Sequence, residues 1–179
     1  MEIHVRDETP GDAAAIAEVT AAAFATLEIS RHTEQFIVAA LRAAGALAVS
    51  LVAEAEGRVA GHAAFSPVAV SDGSAGWYGL GPVSVLPACQ RQGIGAALIR
   101  EGLARLRARG AAGCCLVGHP GYYGRFGFRN APGLRVPGVP DEVFFALAFS
   151  GAFPRGEVAF HDAFRAEGPA APGPAHPPA

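Results

Sequence analysis

The chain contains no lysine, and all 14 of its basic side chains are arginine. Chemistry through a lysine Schiff base is therefore excluded, and so is a P-loop, whose lysine must reach the phosphates. Cysteine is scarce. Cys89, Cys114 and Cys115 are an odd set with two adjacent members, which is neither a disulfide framework nor a zinc-ligand spacing. Reduced thiols and no bound metal are expected. Excess charge of either sign is missing too: the formal net charge is -2, too little basic field to hold nucleic acid. Long apolar runs are absent. The longest candidate, 43–55, is interrupted by Gly45, Ser50 and Glu54, well short of the ~20 residues that span a bilayer. The first residues, with Glu2, Arg6, Asp7 and Glu8, lack the basic-then-apolar order of a signal peptide. The expectation is a cytoplasmic protein, monomer or homodimer, with neither membrane nor nucleic acid as partner.

What is present is material for one core. Of the 179 residues, 51% are hydrophobic, although alanine inflates both that figure and the mean hydropathy of +0.27. A single domain over 1–165 is expected. The remainder, 166–179, is alanine, proline and glycine with almost nothing to bury, and is expected to be disordered.

Along the chain, Ile3 to Val5 reads as a first strand. Thr9-Pro10-Gly11-Asp12 supplies turn and cap chemistry for a helix through Phe24, and Phe36, Ile37, Ala40 and Leu41 mark a second helix that Gly45 ends. Between them, 25–33 has no clear period and reads as a loop. Leu47 to Glu54 and Arg58 to Val70 read as strands joined at Glu56-Gly57, a hairpin signal. Trp77 to Val85 is the next strand, with a bulge or strand separation expected at Pro82, which has no amide to donate. Gly93 to Arg109 is the clearest helix, its apolar face carried by Ile94, Leu98, Ile99, Leu103 and Leu106. A buried strand over 114–117, a helical turn around 122–126 and a strand over 143–149 complete the order βααβββαβαβ. The fold class is α+β, a mixed and mostly antiparallel sheet with helices on both faces.

The most informative segment runs from Val83 to Ala96: strand, loop, glycines, helix. Small residues at Gly93, Gly95 and Ala96 leave the first-turn amides open. Those amides lack intrahelical partners and sit at the positive end of the helix dipole, so the turn is suited to a pyrophosphate. It is not a dinucleotide fingerprint, because Leu98 stands where Gly-x-Gly-x-x-Gly requires its third glycine.

Gln90-x-x-Gly93-x-Gly95-Ala96, preceded by Val83-x-Val85-x-Pro87, resembles the acetyl-coenzyme A signature of the GNAT N-acetyltransferase superfamily. Downstream, Tyr123-Gly124-Arg125-Phe126-Gly127-Phe128 is similar to that superfamily's Tyr-x-x-x-Gly-Phe ending. With Tyr122 in front it looks like a bacterial subgroup mostly of undefined substrate. The resemblance covers roughly 1–149. It implies a GNAT-like fold and an acetyl-coenzyme A-dependent N-acetyltransferase that passes acetyl directly to an amine. Gln90, Arg91, Gln92, Gly93, Ile94, Gly95 and Ala96 would cradle the pyrophosphate, chiefly by backbone amides. The strand edge at Val83, Ser84 and Val85 would pair with the pantetheine amides and supply an oxyanion donor. Tyr123, at the family's position, would protonate the departing thiolate.

The base is open. Many relatives carry a carboxylate on the strand before the glycine turn, yet no Asp or Glu lies between Ser74 and Arg100. His119 and Glu28 are the candidates put forward, with His32, Glu34 and His62 behind them and an ordered water chain as another route. A non-catalytic acyl-coenzyme A-binding module, or transfer to a hydroxyl, are the alternative functions. The 25–33 loop and the proline-rich stretch 132–141 are expected to wall the acceptor site.

Overall fold

The computed structural model of the chain describes residues 1–169. The elements are β1 (Ile3–Asp7), α1 (Ala13–Phe24), α2 (Glu34–Ala43), β2 (Val49–Ala55), β3 (Arg58–Pro67), β4 (Ala69–Val70), β5 (Trp77–Val85), α3 (Ile94–Ala108), β6 (Gly113–Val117), β7 (Leu134–Arg135), β8 (Phe144–Ala148) and β9 (Gly156–Ala159). Six strands form the main sheet in the order β1-β2-β3-β5-β6-β8. All its pairings are antiparallel except β5 with β6.

Strand alternation assigns the two faces. Leu51 and Ala53 of β2 share a core with Phe65 of β3 and with Ile94, Leu98, Ile99 and Leu106 of α3. Val52, between them, packs on the opposite face with Ile16 of α1 and Val38 of α2. The helices thus lie on both faces, as the sequence pattern implies. Leu98, Ile99 and Leu106 are fully buried, each burial contributing about 1.5–3 kcal/mol. The start of α1 is tied down by charge. Arg6 of β1 holds both oxygens of Asp12 at 2.7 and 3.0 Å and reaches Glu54 of β2 at 2.7 Å. The Arg6 guanidinium keeps the Asp12 carboxyl far below the usual carboxylate range.

One glycine of α3 is required by packing. A Cβ on Gly102 would overlap the ring of Phe65, which is fully buried. In an open helix Gly→Ala stabilises by about 1 kcal/mol, but overpacking a filled core costs about 1–3 kcal/mol. Gly102→Ala should therefore lower the urea midpoint. A raised midpoint would show that the Phe65 ring has room to move.

The hairpin at Glu56-Gly57 forms with both residues at positive φ, 52° and 77°, between the paired Ala55 and Arg58, as a two-residue turn of the mirror-image type requires. β5 carries one extra residue against β3, between the pairs Ala63–Val83 and Phe65–Leu80, which places the bulge at Gly81-Pro82.

The structure departs from the sequence reading in two places. The run from Arg58 to Val70 is two strands: the Val68 amide still bonds Trp77 O of β5 at 3.1 Å, and Ala69-Val70 then leave β5 to pair with β9 in a separate sheet. That sheet, β4-β9-β7, contains β9, a strand after the one read as last. The element after β6 is a single 3-10 turn, Tyr123–Phe126, in agreement with the helical turn read around 122–126. The expectation of disorder over 166–179 lies outside the described residues from 170 onward.

Candidate functional site

The ladder between β5 and β6 stops at Gly79–Cys115. From there β5 continues along β3 to Val85, while β6 continues along β8 to Val117. The two central strands have parted, and β5 shows an unpaired edge to the gap. Leu86 N–H bonds Ala60 O at 2.8 Å on the β3 side. Strand alternation then turns the amides and carbonyls of Val83 and Val85 toward the gap.

Beside this edge lies a cavity of about 690 Å³, bounded by Val83 and Val85, by the turn from Cys89 to Ala96, and by Tyr122, Tyr123 and Arg125. Phe24 at the end of α1 closes it together with Thr26 and Leu27 of the 25–33 loop, which thus lines this cavity. The turn is pinned by its own glutamines: Gln90 Nε2 donates to Val85 O at 3.1 Å and Gln92 Nε2 to Ala88 O at 3.3 Å. Arg91 at φ 60° and Gly93 at φ 88° take left-handed conformations that swing the chain into α3. The first intrahelical bond is Ala97 N–H to Gly93 O at 3.0 Å. The amides of Ile94, Gly95 and Ala96 thus have no acceptor in the helix, and no side chain caps them. A Cβ on Gly95 would stand 3.4 Å from Tyr122 Oη and 3.7 Å from Val85 Cγ2. The absent side chain is what keeps the cleft open at that point.

The two tyrosines meet edge to face with centroids 5.0 Å apart. Tyr123 is the deeper, its ring against Phe128 and Phe145 at 6.2 and 6.4 Å. Burial, with a smaller contribution from Tyr122, raises its phenol above the ordinary value, so at neutral pH it carries its proton. Arg125 lies 4.5 Å over the Tyr122 ring and donates from Nε to Tyr122 O at 2.9 Å, holding the turn.

The other sequence candidates fall elsewhere. Ser84 is buried on the far side of the sheet, its Oγ 3.1 Å from Thr20 Oγ1, and its backbone pairs with His62 of β3, so it does not line the cavity. His119 and Glu28 are exposed and line neither this cavity nor the one described next. His62 is fully buried, its Nε2 2.8 Å from Ser50 Oγ, and burial pushes it down to about 4. Cys114 and Cys115 are buried, and burial raises both thiols, Cys115 to about 12. They behave as small apolar residues.

A second cavity, of about 310 Å³, opens where β5 and β6 have parted, against Leu80, Gly81, Pro82 and Val117. Phe24 lines both cavities, so they adjoin. The stretch 132–141 contributes Val136 and Val139 to it, α2 contributes Glu34 and Ile37, and Phe160 and Phe164 complete it. The two phenylalanines were not legible as site residues, since they follow a strand the sequence did not disclose. Among the described residues no three His, Cys, Asp or Glu side chains group to hold a metal, and no helix is long and apolar enough to cross a membrane.

Known proteins share this fold. The model of the acetyltransferase (GNAT) family matches residues 14–128. The uncharacterized N-acetyltransferase YhbS of Escherichia coli K12 is 37% identical over 128 residues, 71% of this chain and 74% of the relative. Two solved structures superpose closely. A GNAT family acetyltransferase from Brucella melitensis in complex with acetyl-CoA is 55% identical, with TM-score 0.82 over 91% of this chain and 98% of that one. Escherichia coli YhbS in complex with CoA is 32% identical, with TM-score 0.79 over 94% of each. The chain belongs to the GNAT family of acetyltransferases, and its chemistry is acyl transfer.

Proposed function

We propose that the protein transfers an acetyl group from acetyl-coenzyme A to a primary amine by direct attack, with the coenzyme in the larger cavity. The observation that carries this reading is the conjunction of the uncapped α3 amides with the unpaired edge of β5 along one cleft. The relatives complexed with acetyl-CoA or CoA support it. The cleft fits the coenzyme chemically. Amides of Arg91 to Ala96 present donors to a pyrophosphate at the helix N-terminus, and Gly95 offers no side chain to obstruct it. Val83 offers its amide and carbonyl, and Val85 its amide, to an extended amide chain lying along the edge, the Val85 carbonyl already accepting from Gln90.

Acetyl-coenzyme A supplies an acyl group already activated as a thioester. The chain's part is to hold it, polarise its carbonyl by an amide of the Val83–Val85 edge, and return a proton to sulfur, while the proton shed by the attacking amine leaves through water in the open cleft. Tyr123 does the last, because its phenol is protonated and lines the cavity. Removing one oxyanion donor in comparable enzymes costs about 3–4 kcal/mol of transition-state stabilisation, so both contributions count.

The test is release of coenzyme A thiol from acetyl-coenzyme A in the presence of a panel of small amines and alcohols, with calorimetry of coenzyme A binding alongside. Amine-dependent release is expected. Tight coenzyme binding with no release for any acceptor would favour an acyl-coenzyme A-binding module instead, and release with alcohols alone would make it an O-acetyltransferase.

A further inference from the structure

The 310 Å³ cavity has almost entirely apolar walls, among them Phe24, Ile37, Leu80, Val117, Val139 and Phe164. Glu34 is the one carboxylate on its lining, and both of its oxygens are withdrawn. Oε1 accepts the Ser30 hydroxyl at 2.6 Å, and Oε2 is shut off from solvent. No charged or hydrogen-bonding side chain on the lining is then left to receive a polar guest, and a polar group buried without a partner is costly. What fits such walls is hydrocarbon.

The position of the cavity along β5 says which hydrocarbon. Followed back from α3, the strand runs through Val85 and Val83 to Pro82, Gly81 and Leu80, and those last three line the cavity. A coenzyme has its pyrophosphate at the start of α3 and its thioester polarised at the Val83–Val85 edge. Whatever lies beyond the carbonyl is thereby pointed at Pro82, Gly81 and Leu80. That part of the molecule is the acyl chain. An acetyl methyl fills little of this space, whose volume is near the low end of the ~300–1,000 Å³ of small-molecule sites.

We propose that this cavity receives the acyl chain of the donor, and that the protein takes straight, saturated acyl-coenzyme A thioesters from butanoyl to hexanoyl more readily than acetyl-coenzyme A. The inference rests on the acyl-transfer reading above. The amine nitrogen bonds to the carbonyl carbon and the carbon–sulfur bond breaks. The thiolate takes the Tyr123 proton, and the proton of the amine leaves through water. Only the chain carried over is longer. The carbonyl carbon lies where the two cavities adjoin at Phe24, open to the nitrogen.

The experiment uses the full chain and calorimetry with coenzyme A and its acetyl, butanoyl, hexanoyl, dodecanoyl and succinyl thioesters, so that no acceptor has to be known. Affinity should rise about fourfold for each methylene from acetyl to hexanoyl and gain nothing further at dodecanoyl, whose chain outgrows the cavity. Succinyl, as long as butanoyl but ending in a carboxylate, should bind on the order of 10-fold more weakly than butanoyl. Val117 is exposed at the end of β6, and Val117→Trp should fill the cavity and erase the gain while coenzyme A itself binds as before. Val139→Trp, on the surface loop, does the same should that variant not fold. Affinity that is flat or falls with chain length leaves the cavity to the acceptor and overturns the inference. A gain that persists in the filled variants, or a succinyl thioester that binds like butanoyl, also overturns it. In each case intact coenzyme A binding leaves the functional reading standing. A chain that does not bind coenzyme A overturns that reading as well.

Discussion

Tyr123→Phe should lower kcat on the order of 10²- to 10⁴-fold while leaving coenzyme A affinity nearly unchanged. The reason lies in what the phenol meets before and during reaction. A thioester sulfur is a poor hydrogen-bond acceptor and a departing thiolate a strong one, so the bond strengthens mainly in the transition state and its loss appears in kcat. The ring itself is needed for packing, since Tyr123 lies against Phe128 and Phe145 and leaves no room for a side chain on Gly118. Phenylalanine keeps that packing and removes one oxygen. Tyr122→Phe serves as the internal control. Its hydroxyl lies beside Gly95 at the start of α3, so its removal should cost far less turnover. The measurement is steady-state kinetics with an accepted amine, with a single-turnover experiment to isolate the chemical step. If Tyr123→Phe turns over normally and Tyr122→Phe is inactive, the proton comes from the neighbouring residue. If both are normal, neither tyrosine protonates sulfur.

The fold was legible wherever one local signal dominated. The apolar period of α3 marked its buried residues. Glu56-Gly57 announced its turn because few residue pairs adopt positive φ twice in succession. The second sheet was not legible because its strands β4 and β7 are two residues long, and Ala69-Val70 read as the end of a longer run. What separates them from β3 is a change of partner strand from β5 to β9 after Val68, and no local propensity encodes that.

For the site, motifs located one cavity and were nearly silent on the other. The glycines and the Tyr-x-x-x-Gly-Phe string lie on contiguous segments, so they could be seen in one dimension. The second cavity draws Phe24, Glu34, Val117, Val139 and Phe164 from five separate segments, joined only by tertiary packing. Glu34 was one acidic residue among several near the first helices. That one of its oxygens is bonded to Ser30 and the other shut off from solvent, leaving the cavity walls apolar, depends on every contact around it. His119 drew attention through its nearness in sequence to Tyr123, yet the turn between them leaves it facing outward.

Gly95→Trp should weaken coenzyme A binding on the order of 10²-fold or more, with the fold retained. Gly95 sits in the first turn of α3, and a side chain there points between Tyr122 Oη and Val85 Cγ2, at 3.4 and 3.7 Å from its Cβ. A methyl group fits at those distances, so Gly95→Ala should keep much of the affinity. An indole must extend into the cleft, over the amides that a pyrophosphate has to approach. Loss of those hydrogen bonds by about 2.7 kcal/mol already amounts to a factor of 10², and bonds to a charged group contribute about 1.5–3 kcal/mol each. Gly95 is a cleaner probe than Gly93, whose φ of 88° strains any other residue and confounds binding with stability. Calorimetry with coenzyme A, beside thermal melting of both variants, separates the two effects. A folded Gly95→Trp protein that binds coenzyme A as the wild type does would place the pyrophosphate away from the start of α3. The assignment of the larger cavity to the coenzyme would then fail with it.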